Sequence, residues 1–267
     1  MTRQTGSTRS RFTLSDLQAR LGGPLSGTFS GADIALAAVP LDLQEASGEW
    51  HFADGRLLLD NGSFMLRDRE SPARFEPLLA RNAELALVDN RITAQAALRN
   101  PASDRLVTDV EVRHDLASGA GRADLDIPGV RFDEALQPLE LSLLAKGVVA
   151  NAEGVVTGQG RIVWSPDGEV TSTGQFSSES IDFAAAFGPV RGASGTIEFT
   201  DLLGLTTAPG QTLRVASVNP GIEVADGEVG FELRNGEVLA VTGGSWPFMG
   251  GELILRAVDL NLGVSEE

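Results

Sequence analysis

Apolar residues recur at every second position through most of this chain, in short runs separated by Gly, Pro, Asn and Asp. Ile197 and Phe199 project one way while Thr196, Glu198 and Thr200 project the other. Val229, Phe231 and Leu233 repeat the pattern against Glu228, Gly230 and Glu232. A period of two between turn residues predicts half-buried antiparallel strands. Helical periodicity is almost absent, which excludes a helical solenoid.

Taken in order, residues 1–24 read as a polar lead and a short capping helix, and 25–267 as one continuous β domain. The helix is expected over Thr13–Leu21, with Leu14, Leu17 and Leu21 on one face, Thr13 or Ser15 as cap and Gly22-Gly23-Pro24 as stop. Strands are expected at Gly48–Phe52, Arg56–Leu59 and Ser63–Arg67, joined by turns at Ala53-Asp54-Gly55 and Asp60-Asn61-Gly62. Asp-Gly and Asn-Gly tolerate positive φ and are strong hairpin signals. Arg67–Arg81, with two prolines, reads as a loop or a crossover. Further hairpins are expected across Asp89-Asn90 and Pro166-Asp167-Gly168. Leu106–His114 reads as a strand, Gly119–Ile127 as another ended by Pro128-Gly129, and Leu139–Lys146 as a longer apolar one. Ile181–Phe187 fits a strand or one helical turn, and Gly251–Leu262 alternates again before Val264-Ser265-Glu266-Glu267.

Charge narrows the function classes. The formal net charge is -16, which argues against nucleic acid and against docking onto anionic headgroups. It fits a solvated, self-repelling surface, or steering toward a basic partner. With no cysteine, disulfides and thiolate metal sites are excluded. No apolar run is long enough for a transmembrane helix, and the N-terminal MTRQTGSTRSRF lacks the apolar core of a secretory signal.

Catalytic signatures are missing. His51 and His114 lie far apart, each near carboxylates, without the convergence of a metal site. Asp124/Asp126 and Glu179/Asp182 fit polar strand faces better than an acid–base pair. There is no nucleotide-binding glycine loop and no nucleophile elbow. No metal, cofactor or catalytic residue is assigned. Three Trp and no Tyr also make a glycan-acting enzyme unattractive. Trp246-Pro247-Phe248-Met249-Gly250-Gly251 is the most unusual local run. It fits core aromatics around a bulge at Pro247 first, and side chains lining an apolar groove second.

An ordered series of motifs carries a resemblance: Gly195–Leu205 (GTIEFTDLLGL), Thr207–Thr212 (TAPGQT), Asn219–Ile222 (NPGI), Asp226–Val229 (DGEV) and Trp246–Glu252 (WPFMGGE). Together they resemble the C-terminal part of YdbH-like proteins, envelope proteins of Gram-negative bacteria in the AsmA-like superfamily. The resemblance is strongest over residues 188–255, about a quarter of the chain. It implies an all-β fold, a long curled antiparallel sheet forming an open apolar groove with at most one or two short helices. It implies a non-catalytic periplasmic protein, anchored in the inner membrane, that conducts phospholipid between the two membranes. Because no anchor is recognisable, this chain is expected to be a piece of a longer protein.

On this reading phospholipid acyl chains lie against Ile197, Phe199, Val229, Phe231 and Leu233. Trp246, Phe248, Leu253 and Leu255 are the other groove-lining candidates. The resemblance also suggests a small outer-membrane lipoprotein as partner. It would add a strand to the terminal one, whose docking candidates are Glu252, Ile254, Arg256 and Val258. About 18–22 strands at ~4.8 Å would make a groove of the order of 90–100 Å. The alternative is a structural or interaction β-scaffold with a filled core and no lipid cargo.

Overall fold

The computed structural model describes residues 11–20, 25–37, 39–142, 145, 149–185, 188–219 and 221–262. Among the described residues it is nearly all-β, with 73% in strands and none in an α-helix, and the eighteen described strands form one large antiparallel sheet that is not closed into a barrel. The strands are β1 (Arg11–Thr13), β2 (Asp16–Arg20), β3 (Leu25–Ala35), β4 (Leu41–Ala53), β5 (Arg56–Asp68), β6 (Leu78–Val88), β7 (Arg91–Arg99), β8 (Leu106–Asp115) and β9 (Gly121–Phe132). After a 3₁₀ turn at Pro138–Glu140 come β10 (Ala150–Trp164), β11 (Val170–Ala185), β12 (Gly188–Asp201), β13 (Thr206–Thr207), β14 (Gln211–Val218), β15 (Val224–Arg234), β16 (Val238–Phe248), β17 (Gly251–Leu255) and β18 (Val258–Asn261).

Contacts divide the chain into two compact units, and β8–β11 contribute to both. In the first, β3 to β7 pair each with the next, and β1 and β2 both lie against β3. In the second, β12 pairs with β11 on one side and with β13 and β14 on the other. From there β14, β15 and β16 follow in order, and β16 takes both β17 and β18 as partners.

The expected turns at Asp54-Gly55, Asp89-Asn90 and Asp167-Gly168 all join neighbouring strands. Other expectations are corrected. Asp60-Asn61-Gly62 is not a turn, because β5 runs straight through it. Likewise Pro128-Gly129 lies inside β9. Within Leu139–Lys146, the described residues start in the 3₁₀ turn and form no strand. Residues 181–185 of Ile181–Phe187 are strand, and 186–187 lie outside the described residues. So do residues 1–10 of the polar lead, Leu21, Gly22-Gly23-Pro24 and Val264-Ser265-Glu266-Glu267.

The expected helix at Thr13–Leu21 is a strand pair instead, with Leu17 opposite Phe29 and Ala19 opposite Gly27. A helix of nine residues is marginal on its own. The edge of β3 offers a ladder, and Gly27 lets it form at close range. A Cβ there would stand 1.6 Å from the Gln18 carbonyl oxygen. Ser15, the candidate cap, donates its hydroxyl to the Gly31 carbonyl at 3.1 Å.

Left-handed residues sit in mid-strand rather than only at turns. In the first unit they are Gly31 (φ 62) in β3, Glu45 (φ 54) in β4, Asn61 (φ 52) in β5 and Asn82 (φ 54) in β6. Each coincides with a register shift: around Phe29/Ala32, Gln44/Ser47, Leu59/Gly62 and Arg81/Glu84. These are β-bulges, one per strand and side by side, and a bulge bends the strand that carries it. In the second unit Gly192 (φ 56) and Gly243 (φ 155) lie at register shifts of β12 and β16, while Asp226 (φ 57) sits near the start of β15 in regular register with β14. The bulge in β16 falls at Thr242, next to Gly243, where the register shifts between Gly230 and Phe231 of β15, and Pro247 pairs regularly with Glu252.

The extra residue keeps the apolar set in phase. In β5, Leu57, Leu59, Gly62, Phe64 and Leu66 meet Leu87, Leu85, Ala83, Ala80 and Leu78 of β6 on one face. Without Asn61, the second half of that set would turn to the opposite face.

One polar knot fixes the β5–β6 connection. The Asp68 side chain has no exposed surface and binds Arg74 by two charge-assisted hydrogen bonds, Nε at 2.7 Å and Nη2 at 2.8 Å. It also accepts the backbone N–H groups of Arg74 and Glu70. Burial pushes its pKa up, but these hydrogen bonds and the guanidinium charge outweigh burial and hold it below the ordinary value. A depressed carboxylate pKa stabilises the fold above the unfolded-state value, and that contribution is lost as pH falls through the folded-state value. Thermal stability is thus expected to fall with acidification below about pH 4. Asp68→Asn should flatten that part of the profile; an unchanged acid limb would contradict the role given to Asp68.

Candidate functional site

Cross-strand partners share a face, so the register assigns each side chain to one side of the sheet. In the first unit one face carries Ser26 with His51, Thr28 with Glu49, Glu49 with Asp60, and Glu84 with Gln95. The other carries Leu25 with Phe52, Trp50 with Leu59, Leu59 with Leu85, and Leu87 with Ile92. One face is thus polar and the other apolar, as alternation requires.

The apolar face is not uniform. Beyond the bulges, toward the β3–β4 and β5–β6 connections, it is more deeply buried: Ala32 and Ala80 are 0% exposed, Ala46 and Leu98 5%, and Ile34, Leu43, Phe64 and Leu66 are half-buried. On the tight-hairpin side it is open. Trp50, Leu57, Leu59, Leu85, Leu87 and Ile92 are only half-buried, and Phe52 and Leu25 are exposed. No second layer of this unit covers them among the described residues.

The second unit shows the same division. Val190, Ala193, Val215, Val218, Val224 and Trp246 form a dry cluster, with Ile181, Phe183 and Phe248 against it. All project from one face, and they lie toward the β11–β12, β14–β15 and β16–β17 connections. A second dry cluster gathers Ile127, Val130, Phe132 and Ala152 under Leu136, which the β9–β10 connection lays over that face. Gln137 fastens this connection, donating to the Ala152 carbonyl at 3.0 Å and accepting the Ala152 N–H at 2.8 Å. Toward the hairpins, Phe176, Ile197, Phe199, Leu213, Phe231 and Leu233 stay half-buried. Phe176 and Phe199 meet edge to face at 5.7 Å.

All nine groove candidates fall on this one face: Ile197 and Phe199 on β12, Val229, Phe231 and Leu233 on β15, Trp246 and Phe248 on β16, Leu253 and Leu255 on β17. Their exposure differs. Trp246 is 4% exposed and belongs to the dry cluster, whereas Leu253 is 40% exposed on the last hairpin. The docking candidates do not share a face. Glu252 and Ile254 project to the polar side, Arg256 lies in the break between β17 and β18, and Val258 turns to the apolar side opposite Val241. The alternation read through Gly251–Leu262 is broken there by that pair of non-strand residues.

The first unit's open residues lie outside the stretch that carries the resemblance. Their signal was present in the sequence as the Leu57-Leu58-Leu59 run and the Leu85/Leu87 alternation beside Asp89-Asn90. The histidines do not converge. His51 lies 3.9 Å from the Asp60 carboxylate on the polar face, and His114 Nδ1 accepts a hydrogen bond from Trp164 Nε1 at 3.1 Å. Asp124 is bound by Arg161. Among the described residues no three His, Asp or Glu side chains gather as a metal site, and no helix is long and apolar enough to cross a membrane.

Comparisons with curated proteins and with solved structures returned no match. A family model described as YdbH-like, intermembrane phospholipid transport protein YdbH, matches residues 2–267. The match extends the resemblance from a quarter of the chain to nearly all of it, and the chain belongs to the YdbH-like intermembrane phospholipid transport family.

Proposed function

We propose that this chain is a non-catalytic segment of a periplasmic bridge, and that phospholipids pass between the inner and outer membranes with their acyl chains against the apolar face of its sheet. The observation that carries the reading is the half-buried apolar strip within each unit, on a protein whose opposite face is polar. A soluble fold exposes contiguous apolar surface of this kind where something binds it. Transfer of a buried CH₂ is worth about 0.8 kcal/mol in water, so an acyl chain moves from bilayer to such a strip at small net cost. Weak, uniform contact lets lipid slide, whereas a deep pocket would hold it.

The dry clusters are also what a filled scaffold would have; the open strips are not. The distinguishing test is extraction of a fluorescent phospholipid from vesicles. Phe231→Asp should lower bound lipid at least fivefold with an unchanged circular dichroism spectrum, while Glu228→Gln on the polar face should leave it unaltered. Equal binding by both variants, or none by the wild type, contradicts the reading.

An inner-membrane anchor outside this chain, and a small outer-membrane lipoprotein adding a strand at the C-terminal edge, belong to the same proposal. β17 is exposed along its whole length, which suits strand addition. Proline at Ile254 should abolish docking if its N–H serves the new ladder.

A further inference from the structure

We propose that lipid does not use the whole apolar face but only the strip between the line of bulges and the tight hairpins, with the acyl chains lying along the strands and the headgroup beyond the turns. This rests on the lipid-conduit reading above and narrows it to a path.

Three observations support it. First, the fully buried side chains of the apolar face concentrate beyond the bulges, beside half-buried ones such as Phe64 and Leu66, and on the near side of β3–β7 none is fully buried. On the far side Ala32, Ala46, Ala80 and Leu98 in the first unit are at most 5% exposed, and Val190, Ala193, Val215 and Val218 in the second at most 6%. Those side chains already have their apolar neighbours and leave no surface for an acyl chain. On the near side Leu59, Leu85 and Leu87, and Ile197, Phe199 and Phe231, are half-buried in the free chain.

Second, the strip has the depth of one leaflet of hydrocarbon. It runs from Asn61 to Arg56 along β5 and from Asn82 to Val88 along β6. At ~3.3 Å per residue these are about 17–20 Å. Half of a ~30 Å bilayer core is about 15 Å. An acyl chain lying along the strands with its tail at the bulges therefore brings its headgroup to the turns.

Third, the turns at that end are short and polar. Asp54-Gly55 and Asp89-Asn90 close the first unit's hairpins, and Asn235-Gly236 closes β15–β16. Nothing bulky there stands between a headgroup and water. In the first unit the opposite end carries the longer connections, including residues 69–77, where Arg74 binds Asp68. That end is built to be sealed.

The path thus excludes five of the nine groove candidates: Trp246, Phe248 and Val229, which belong to or pack on the dry cluster, and Leu253 and Leu255, which are exposed but pair with Trp246 and Gly244 beyond the bulge. It adds Trp50, Leu57, Leu59, Leu85, Leu87 and Ile92, which the sequence reading did not nominate.

The test needs no substitution. The wild-type chain is incubated with phosphatidylcholine vesicles containing a phosphatidylcholine that carries a diazirine in mid-acyl chain, irradiated, digested and mapped by mass spectrometry. Adducts are expected at Leu57, Leu59, Leu85 and Leu87 and at Ile197, Phe199 and Phe231. They should exceed those at Ala80, Leu98, Val190 and Val215 at least tenfold. Adducts spread equally over both halves, or centred on the sealed half, overturn the path while leaving lipid binding intact. Absence of adducts anywhere, beside efficient labelling of the vesicles' own lipid, defeats the conduit reading itself and the path with it.

Discussion

Trp246→Ala is expected to destabilise the second unit by about 3–5 kcal/mol, the range for truncating a buried aromatic. Trp246 is 4% exposed and packs against Val215, Val224 and their neighbours. Its ring lies flat over Gly227 of the adjacent strand, where a Cβ would stand 1.9 Å from Nε1. The glycine supplies the space and the indole fills it, a cross-strand pair that compensates for the missing side chain. Gly227→Ala should therefore destabilise too, because the ring must leave its seat. Trp246→Phe should cost much less. It keeps most of the apolar contact and removes an indole N–H that is buried without a hydrogen-bond partner. Denaturant midpoints of the three variants check this. If alanine and phenylalanine proved equally costly, the ring's packing would not be the source of the stability.

Deleting Asn61 should have an effect of similar size by a different route. The deletion removes the extra residue of the β5 bulge and turns every following side chain to the other face. Phe64 and Leu66 would leave their partners Ala80 and Leu78, and Met65 and Arg67 would take their places. Losing two well-packed side chains while seating a charge on an apolar face costs on the order of 3–6 kcal/mol. Asn61→Gly keeps φ 52 accessible and should be nearly neutral, within about 1 kcal/mol. A deletion that melted like the wild type would mean that β5 pairs without the bulge.

The same residue shows what the sequence conveyed and what it did not. Asp54-Gly55 and Asn61-Gly62 look alike as signals, since both offer positive φ beside a small residue. One is a hairpin turn and the other a bulge inside a 13-residue strand. Phase separates them: Leu57 and Leu59 are followed by Phe64 and Leu66 with one residue too many for simple alternation, and a bulge absorbs it. Pro128-Gly129 misled for a related reason, because proline inside a strand usually marks an edge or an irregularity. The N-terminal Leu14/Leu17 spacing fitted a helix locally, and the edge of β3 overrode it through a ladder that no local pattern reveals.

The apolar face was legible where alternation was cleanest, around Ile197–Phe199 and Val229–Leu233, and all nine groove candidates lie on it. Its division into sealed and open halves was not legible. Exposure there depends on where neighbouring bulges line up across strands, and Gly31, Glu45, Asn61 and Asn82 are far apart in sequence and of three different types. Trp246 illustrates the gap: period two places it on the right face, but only the packing around Gly227 places it in the dry half.

The central claim is that the open apolar face carries phospholipid. Native mass spectrometry of the chain, purified gently from bacteria without detergent, tests it most directly. The predicted result is a folded protein with discrete phospholipid adducts that decline in Phe231→Asp. A well-folded wild-type chain with a clean lipid-free mass would contradict it and leave the filled scaffold as the better account.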